Sequence, residues 1–217
     1  MNLWLRLIWY LLIGRSRLPL RLPADASRLG FRVLPNDLDT SGHLNIGRYL
    51  TFMDFGRLDI MVRSGLWRSV LRHKWTPFAN TVMIRFRREL TLFQRFRLES
   101  RIIAWETTTV VMEQIFVHEG GKHDGEVAAR ALFKGGLYDR AARRFIPISR
   151  LRAEIGVDAQ SPPLTPEIAA FLHAAQQLAG KQGMAASLPQ QFGAEAYIEK
   201  VRLAVKQGVH KGAAQCV

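Results

Sequence analysis

A chain of 217 residues with 48% hydrophobic and 23% charged side chains has ordinary globular composition. It is long enough for one core plus terminal additions, and whole-chain disorder is excluded. The formal charge of +13, carried mainly by arginine, suits either a solvated basic surface or a partner rich in negative charge, such as anionic lipid or a phosphorylated carrier molecule. No zinc-finger, helix-turn-helix or aromatic-rich RNA motif accompanies that charge, so nucleic acid is not an expected partner. Cys216 is the single cysteine. Its solitude excludes an intrachain disulfide, a CxxC pair and a cysteine-rich zinc site, and fits a reducing cytoplasm.

The N-terminal run from Leu3 to Ile13 is apolar apart from Arg6, contains Trp4, Trp9 and Tyr10, and is followed by Arg15, Arg17 and Arg21. It is shorter than the ~20 residues that cross a bilayer as a helix. Three readings fit. Aromatic and leucine side chains followed by arginines suit a helix lying on an anionic membrane surface through residues 1–21. The same segment also suits a helix packed on the protein's own core or at a subunit contact. A cleaved signal is the third, although Gly14-Arg15-Ser16-Arg17 offers no small-residue cleavage site. The expected location is cytoplasmic, with peripheral attachment to the inner face of a membrane under the first reading.

Leu18 to Arg28 holds Pro19 and Pro23 and reads as a linker, with the domain beginning near Gly30. Phe31 to Leu34 is a short strand closed by Pro35, which cannot continue a central ladder. Asn36 to Gly42 is turn chemistry throughout. From Asn45 to about Val62, Tyr49, Met53, Gly56 and Ile60 recur at three- and four-residue steps and mark the buried face of a helix. Arg48 and Asp59 fall off that face. A short second helix is expected over Leu66 to His73. Beyond Pro77 the period becomes two. Val82, Ile84 and Phe86 form one strand, Phe96 to Ile102 the next, Thr108 to His118 a third, and Val127 to Tyr138 a fourth, broken at Gly135-Gly136. Short connections imply an antiparallel meander. Thr165 to Ala179 and Glu195 to Val205 are candidate helices, and the last ten residues show no apolar period. The division is therefore an apolar and basic segment with linker over 1–28, a domain over 29–152, and a helical extension with a disordered tail over 153–217.

One strand, a turn, a long helix and four strands require an α+β domain in which the sheet wraps the helix. This is the hotdog arrangement, a long central helix in a five-stranded antiparallel sheet, here with an N-terminal apolar helix and C-terminal helices added. The segment Asp37-Leu38-Asp39-Thr40-Ser41-Gly42-His43-Leu44-Asn45-Ile46-Gly47-Arg48-Tyr49 places two carboxylates in the turn before that helix. A helix N-terminus offers unpaired backbone N–H groups and partial positive charge. A carboxylate can attack a carbonyl or deprotonate water beside it, while the amides stabilise the oxyanion. Both aspartates can instead be turn residues that cap the helix and satisfy loop amides.

Asp-x-Asp-x-x-Gly-His-x-Asn, followed by Tyr49, Asp54 and Arg57, resembles the 4-hydroxybenzoyl-CoA thioesterase-like branch of hotdog proteins. Val33 to Asp39 and Gly47 to Thr51 narrow the likeness to the thioesterase-superfamily-member-6-like group. It extends over roughly Phe31 to Leu151. The resemblance implies an acyl-CoA thioesterase that releases free acid and thiol, with Asp39 as nucleophile or general base. It places His43 and Asn45 with Asp39 as catalytic residues. Ile46, whose backbone amide would be the oxyanion donor, stands with Gly47 and Tyr49 as substrate-binding residues. It implies no metal and no cofactor beyond the coenzyme A of the substrate, and a homodimer or tetramer. One position departs from the family, which often has a second Asn where this chain has Ile46. That departure favours the alternative of a non-hydrolytic module that binds acyl-CoA or an acyl lipid. His118 and His123 flank a hairpin without a third convincing metal ligand. Arg85, Arg87 and Arg88 suit either coenzyme A phosphates or the exposed face of an edge strand.

Overall fold

In the computed structural model, residues 18–184 are described. The N-terminal apolar run, the Glu195 to Val205 helix, the tail and Cys216 lie outside them. The elements in chain order are β1 (Ser27–Arg32), a 3-10 turn (Pro35–Asp37), α1 (Ile46–Arg63), α2 (Leu66–His73), β2 (Trp75–Phe86), β3 (Arg95–Trp105), β4 (Val110–Glu119), β5 (Val127–Asp139), β6 (Arg144–Phe145), α3 (Ile148–Glu154) and α4 (Pro166–Met184). The compact unit that carries the sheet ends at Phe171, and Leu172 begins a second unit whose described part is the rest of α4.

All strands are antiparallel, in the order β1-β3-β4-β5-β2, with the two-residue β6 pairing β5 as a sixth strand. The expected meander is therefore only β3-β4-β5. β2 does not pair with β3. It runs beside β5 at the far edge, from Trp75 opposite Asp139 to Phe86 opposite Ala129, with a one-residue register shift between Ala79 and Thr81. β1 and β2 thus stand at opposite edges, and the chain between them must cross the face of the sheet. That crossing is α1. Pro77 lies inside β2, which an edge strand tolerates because one row of its amides has no sheet partner.

The core follows the helical period read from the sequence. Tyr49, Met53, Gly56 and Ile60 are buried, joined by Phe52 and Phe55. They pack with Leu29 of β1, Phe96 and Leu98 of β3, Met112 and Phe116 of β4, and Ala131 and Phe133 of β5. Each large apolar side chain fully removed from water here contributes about 1.5–3 kcal/mol. Gly56 sets the helix-to-sheet spacing, because a Cβ there would lie 2.1 Å from Ser100 Oγ and 2.8 Å from Gln114 Nε2. Gln114 donates from Nε2 to the Met53 carbonyl (2.9 Å) and to Ser100 Oγ (2.9 Å), and accepts from Arg57 Nη1 at 2.9 Å.

Two further expectations change. Asp59 is fully buried rather than off the apolar face, since its Oδ2 accepts from Ser27 Oγ at 2.5 Å and pairs with Arg63 Nη1 at 3.1 Å. A buried carboxylate held by a hydroxyl and a guanidinium satisfies its lone pairs in place of water. Gly135-Gly136 does not break β5. Both residues stay in register with β2, and a Cβ on Gly135 would come within 2.4 Å of the Phe78 carbonyl. These glycines admit close approach of a neighbouring backbone.

Candidate active site at the start of the long helix

The loop from Asp37 to Asn45 is held by its own polar groups. Asp37 is buried, and its Oδ2 accepts from the Leu34 amide at 2.9 Å while its carbonyl accepts from the Asn45 amide at 2.9 Å. Arg48 Nε stands 3.8 Å from the Asp37 carboxylate. Asp37 therefore braces the lead-in to the helix. Asp39 closes the next turn. Its amide donates to the His43 carbonyl at 2.8 Å, and its Oδ1 accepts from the amides of Ser41 (2.9 Å) and His43 (3.2 Å). Its Oδ2 takes no hydrogen bond among the described residues, which leaves one carboxylate oxygen for chemistry. Gly42 adopts a φ of +79°, a conformation glycine reaches without strain, and donates to the Asp39 carbonyl at 3.2 Å. A bridge between Leu38 and Leu44 closes the loop on itself, and another between His43 and Thr91 ties it to the segment ahead of β3.

The amides of the first helical turn are largely consumed. Asn45 is the N-cap, and its Oδ1 accepts from the Gly47 amide at 2.8 Å. The Arg48 amide donates to the Asn45 carbonyl at 2.9 Å, and the Asn45 amide to the Asp37 carbonyl. The Ile46 amide alone among these donors makes no hydrogen bond among the described residues. It lies at the positive end of an 18-residue helix dipole. A free amide there can stabilise developing negative charge.

His43, Ile46 and Tyr49 line one cleft of about 650 Å³, together with Phe86, Arg87, Arg88, Glu89, His118 and His123. Asp39 does not line it and reaches it through the His43 amide. Asn45 and Gly47 are bonded to each other at the helix start and do not line it either. His43 Nε2 pairs with Glu89 Oε2 at 2.7 Å, so its ring spans from the loop to the residue after Arg87-Arg88. Tyr49 is buried with its ring edge-on to Phe86 and Phe116, each at 4.9 Å. Burial, with the Glu89 charge adding, pushes its phenol up to about 12, so the hydroxyl stays protonated and available as a donor.

Several cleft residues were not legible as a group. Arg88 is ion-paired with Glu126, whose carboxyl is held below its usual range by the His123 hydrogen bond, with Arg88 adding. Arg87 makes no ion pair among the described residues. Arg85 does not line the cleft and sits opposite Arg130 in the sheet. His118 is 3% exposed, with neither ring nitrogen hydrogen-bonded among the described residues. Burial depresses its basicity, with His123 and Arg88 adding and Glu126 opposing, so the ring is held neutral below the usual histidine value. The only sequence signal for this convergence was the Arg87-Arg88-Glu89 run and the paired histidines. Among the described residues no group of three or more His, Cys, Asp or Glu side chains has the geometry to hold a metal ion.

A long helix crossing an antiparallel sheet of order 1-3-4-5-2, with an aspartate loop leading into its N-terminus, defines a hotdog-fold protein. The comparisons place it further: the chain belongs to the thioesterase-like superfamily, which it matches over residues 33–172. It is 34% identical over 126 residues to Protein THEM6 of Danio rerio, a match covering 58% of this chain and 61% of that protein. The chain thus spans about three-fifths of that curated relative. Among solved structures it is similar to the probable thioesterase YbaW of Escherichia coli, with a TM-score of 0.54 and 22% identity over 59% of this chain and 95% of that one. A mutant 4-hydroxybenzoyl-CoA thioesterase crystallised with 4-hydroxybenzoyl-CoA gives a TM-score of 0.56 at 15% identity, covering 61% of this chain and 99% of that one. At such identities the likeness is one of fold.

Proposed function

We propose that this protein hydrolyses an acyl-CoA or related acyl thioester to free acid and thiol. The observation that carries the proposal is the unpaired Ile46 amide at the head of α1, beside a loop that leaves Asp39 Oδ2 unengaged. The thioester carbonyl accepts from Ile46 N–H. Asp39 takes a proton from water, which adds to that carbon, or attacks the carbon directly to give an anhydride that water opens. The carbon–sulfur bond breaks and the thiolate leaves with a proton. Asn45 acts by holding the first turn, and His43 by fixing the loop against Glu89. The thiol end of the substrate lies in the cleft, where Arg87, Arg88 and Tyr49 meet its phosphates and polar groups. Coenzyme A thioesters suit it, and a mutant of one structural relative is complexed with such a thioester.

A homodimer or tetramer belongs to the same proposal, because edge strand β2 leaves two large apolar side chains exposed, Met83 on one face and Phe86 on the other. No helix among the described residues is long and apolar enough to cross a membrane. Attachment of residues 1–21 to an anionic surface is proposed on their composition. The second reading, a module that binds acyl-CoA without turnover, is favoured by Ile46 standing where the family often has Asn. Thiol release from a panel of acyl-CoAs decides between them. Release above the blank supports hydrolysis, and tight binding without release supports the binding module.

A further inference from the structure

A second cavity, about 470 Å³, opens between the C-terminal half of α1 and the β2-β5 edge of the sheet. Its walls are apolar, among them Leu58, Met61, Phe78, Ile102, Phe133 and Leu151, and its exposed rim runs from Asp54 on α1, whose side chain is 73% exposed, to Pro77 and Ala79 on β2. A half-open apolar pocket of this size leaves its lining in contact with water until an apolar guest covers it, and that burial favours occupancy. The one cation among its described lining residues, Arg57, is already neutralised by Asp54 and lies 4.2 Å over the Phe133 ring. The cavity therefore selects an uncharged, apolar guest.

The helix joins this cavity to the proposed reaction centre. Ile46, Leu50, Asp54, Leu58 and Met61 follow one another at three- and four-residue steps and so share one face of α1. Ile46 and Leu50, at the reaction-centre end of that stripe, are 64% and 42% exposed. They are an uncovered apolar track leading to the cavity mouth. At ~1.5 Å per residue, Ile46 to Asp54 spans about 12 Å and Ile46 to Met61 about 22 Å. A zigzag alkyl chain with bonds of ~1.5 Å advances about 1.3 Å per carbon. The mouth is then reached at about the ninth carbon, and the level of Met61 at about the seventeenth. A methylene is close in size to a water molecule, which occupies ~30 Å³ in the liquid. The distal seven or eight carbons thus need about half of the cavity, and length along the helix, not volume, sets the limit. A single aromatic ring fits a space of about 150 Å³ and would end before Leu50.

We propose that this cavity receives the distal half of a long aliphatic acyl chain, about 14 to 18 carbons, with α1 as the ruler between thioester and tail. The assignment rests on the reading in which the Ile46 amide holds the thioester carbonyl. Chains shorter than about ten carbons stop on the exposed stripe. Each carbon beyond that enters the cavity, and burial of a methylene strengthens binding about fourfold.

The test uses the full chain and two readouts. The first is kcat/KM for butanoyl-, octanoyl-, dodecanoyl-, hexadecanoyl- and benzoyl-CoA. The second is displacement of a fluorescent fatty acid by free octanoate and hexadecanoate, which requires no turnover. The expected result is a steep rise between octanoyl- and hexadecanoyl-CoA, benzoyl-CoA at least tenfold below hexadecanoyl-CoA, and displacement by hexadecanoate alone. Met61→Trp, which narrows the cavity, should lower the hexadecanoyl-to-octanoyl ratio at least tenfold. Hydrolysis indifferent to chain length, with no displacement by hexadecanoate, overturns the chain site and leaves the hydrolase standing. Displacement by hexadecanoate that Met61→Trp abolishes, without hydrolysis of any thioester, upholds the chain site and overturns the hydrolase. Should Met61→Trp not fold, the wild-type profile and displacement decide alone.

Discussion

Replacing Gly56 with Ala sets two effects against each other. Helix propensity alone favours Ala by about 1 kcal/mol in a helix interior. The contact geometry says otherwise, since the new methyl would lie 2.1 Å from Ser100 Oγ, 3.1 Å from Ser100 Cβ and 2.8 Å from Gln114 Nε2. Ser100 is fully buried, and turning its hydroxyl away breaks the 2.9 Å hydrogen bond from Gln114. That leaves a buried polar group unsatisfied at about 1–3 kcal/mol, and overpacking adds about 1–3 kcal/mol. Steric cost exceeds propensity gain, for a net loss of about 1–5 kcal/mol. In a domain of this size that lowers Tm by about 2–20 °C. Urea and thermal unfolding of wild type, Gly56→Ala and Gly56→Ala/Ser100→Ala measure it. The double variant should recover part of the loss, because Oγ is gone but Ser100 Cβ still crowds the methyl. A Gly56→Ala protein as stable as wild type, or more so, would refute the idea that this glycine sets how closely α1 lies on the sheet.

Asn45→Ala removes the N-cap and should cost about 1 kcal/mol of stability. It should also lower turnover more than thioester binding, because the first-turn amides lose their anchor; unchanged turnover and Tm would argue against that role. His118 is held neutral by burial, so its folded-state basicity lies below the unfolded value of 6.5. As pH falls below 6.5 the unfolded chain takes up this proton first, and stability is lost progressively until the folded pKa is passed. His118→Leu should flatten the stability profile below pH 6.5, and an unaltered slope in chemical denaturation would contradict the assignment.

The loop and the helix were legible because their signals are local. Asp39, Gly42 and Asn45 are turn and cap residues within one short stretch, and the apolar stripe of α1 has the helical period. The β3-β4-β5 meander followed from short connections. The place of β2 was not readable, since pairing with β5 rather than β3 depends on contacts far apart in the chain, from Phe86 opposite Ala129 to Trp75 opposite Asp139. Glycine is poor strand material in general, which made Gly135-Gly136 look like a break. Their reason is the Phe78 carbonyl against Gly135 and the Thr108 carbonyl against Gly136, which no local pattern announces. Asp59 was misread for a similar cause, because its partner Ser27 belongs to β1. α3 went unread because it is seven residues long and begins behind Pro147. At the site, the pairing of His43 with Glu89 and the arrival of His118 and His123 join three separate segments of chain. Sequence carries the motif of one wall, and the fold supplies the other.

The central claim is that Asp39 turns a bound thioester over. The most direct measurement is kcat and acyl-CoA affinity on one preparation of Asp39→Asn beside wild type. Asn keeps an Oδ1 to accept from the Ser41 and His43 amides, so the loop is retained while the charge is lost. The account predicts kcat lower by at least ~100-fold, the scale of a positioned general base, with Kd within a few-fold of wild type. Turnover that survives the substitution with Kd unchanged would contradict it.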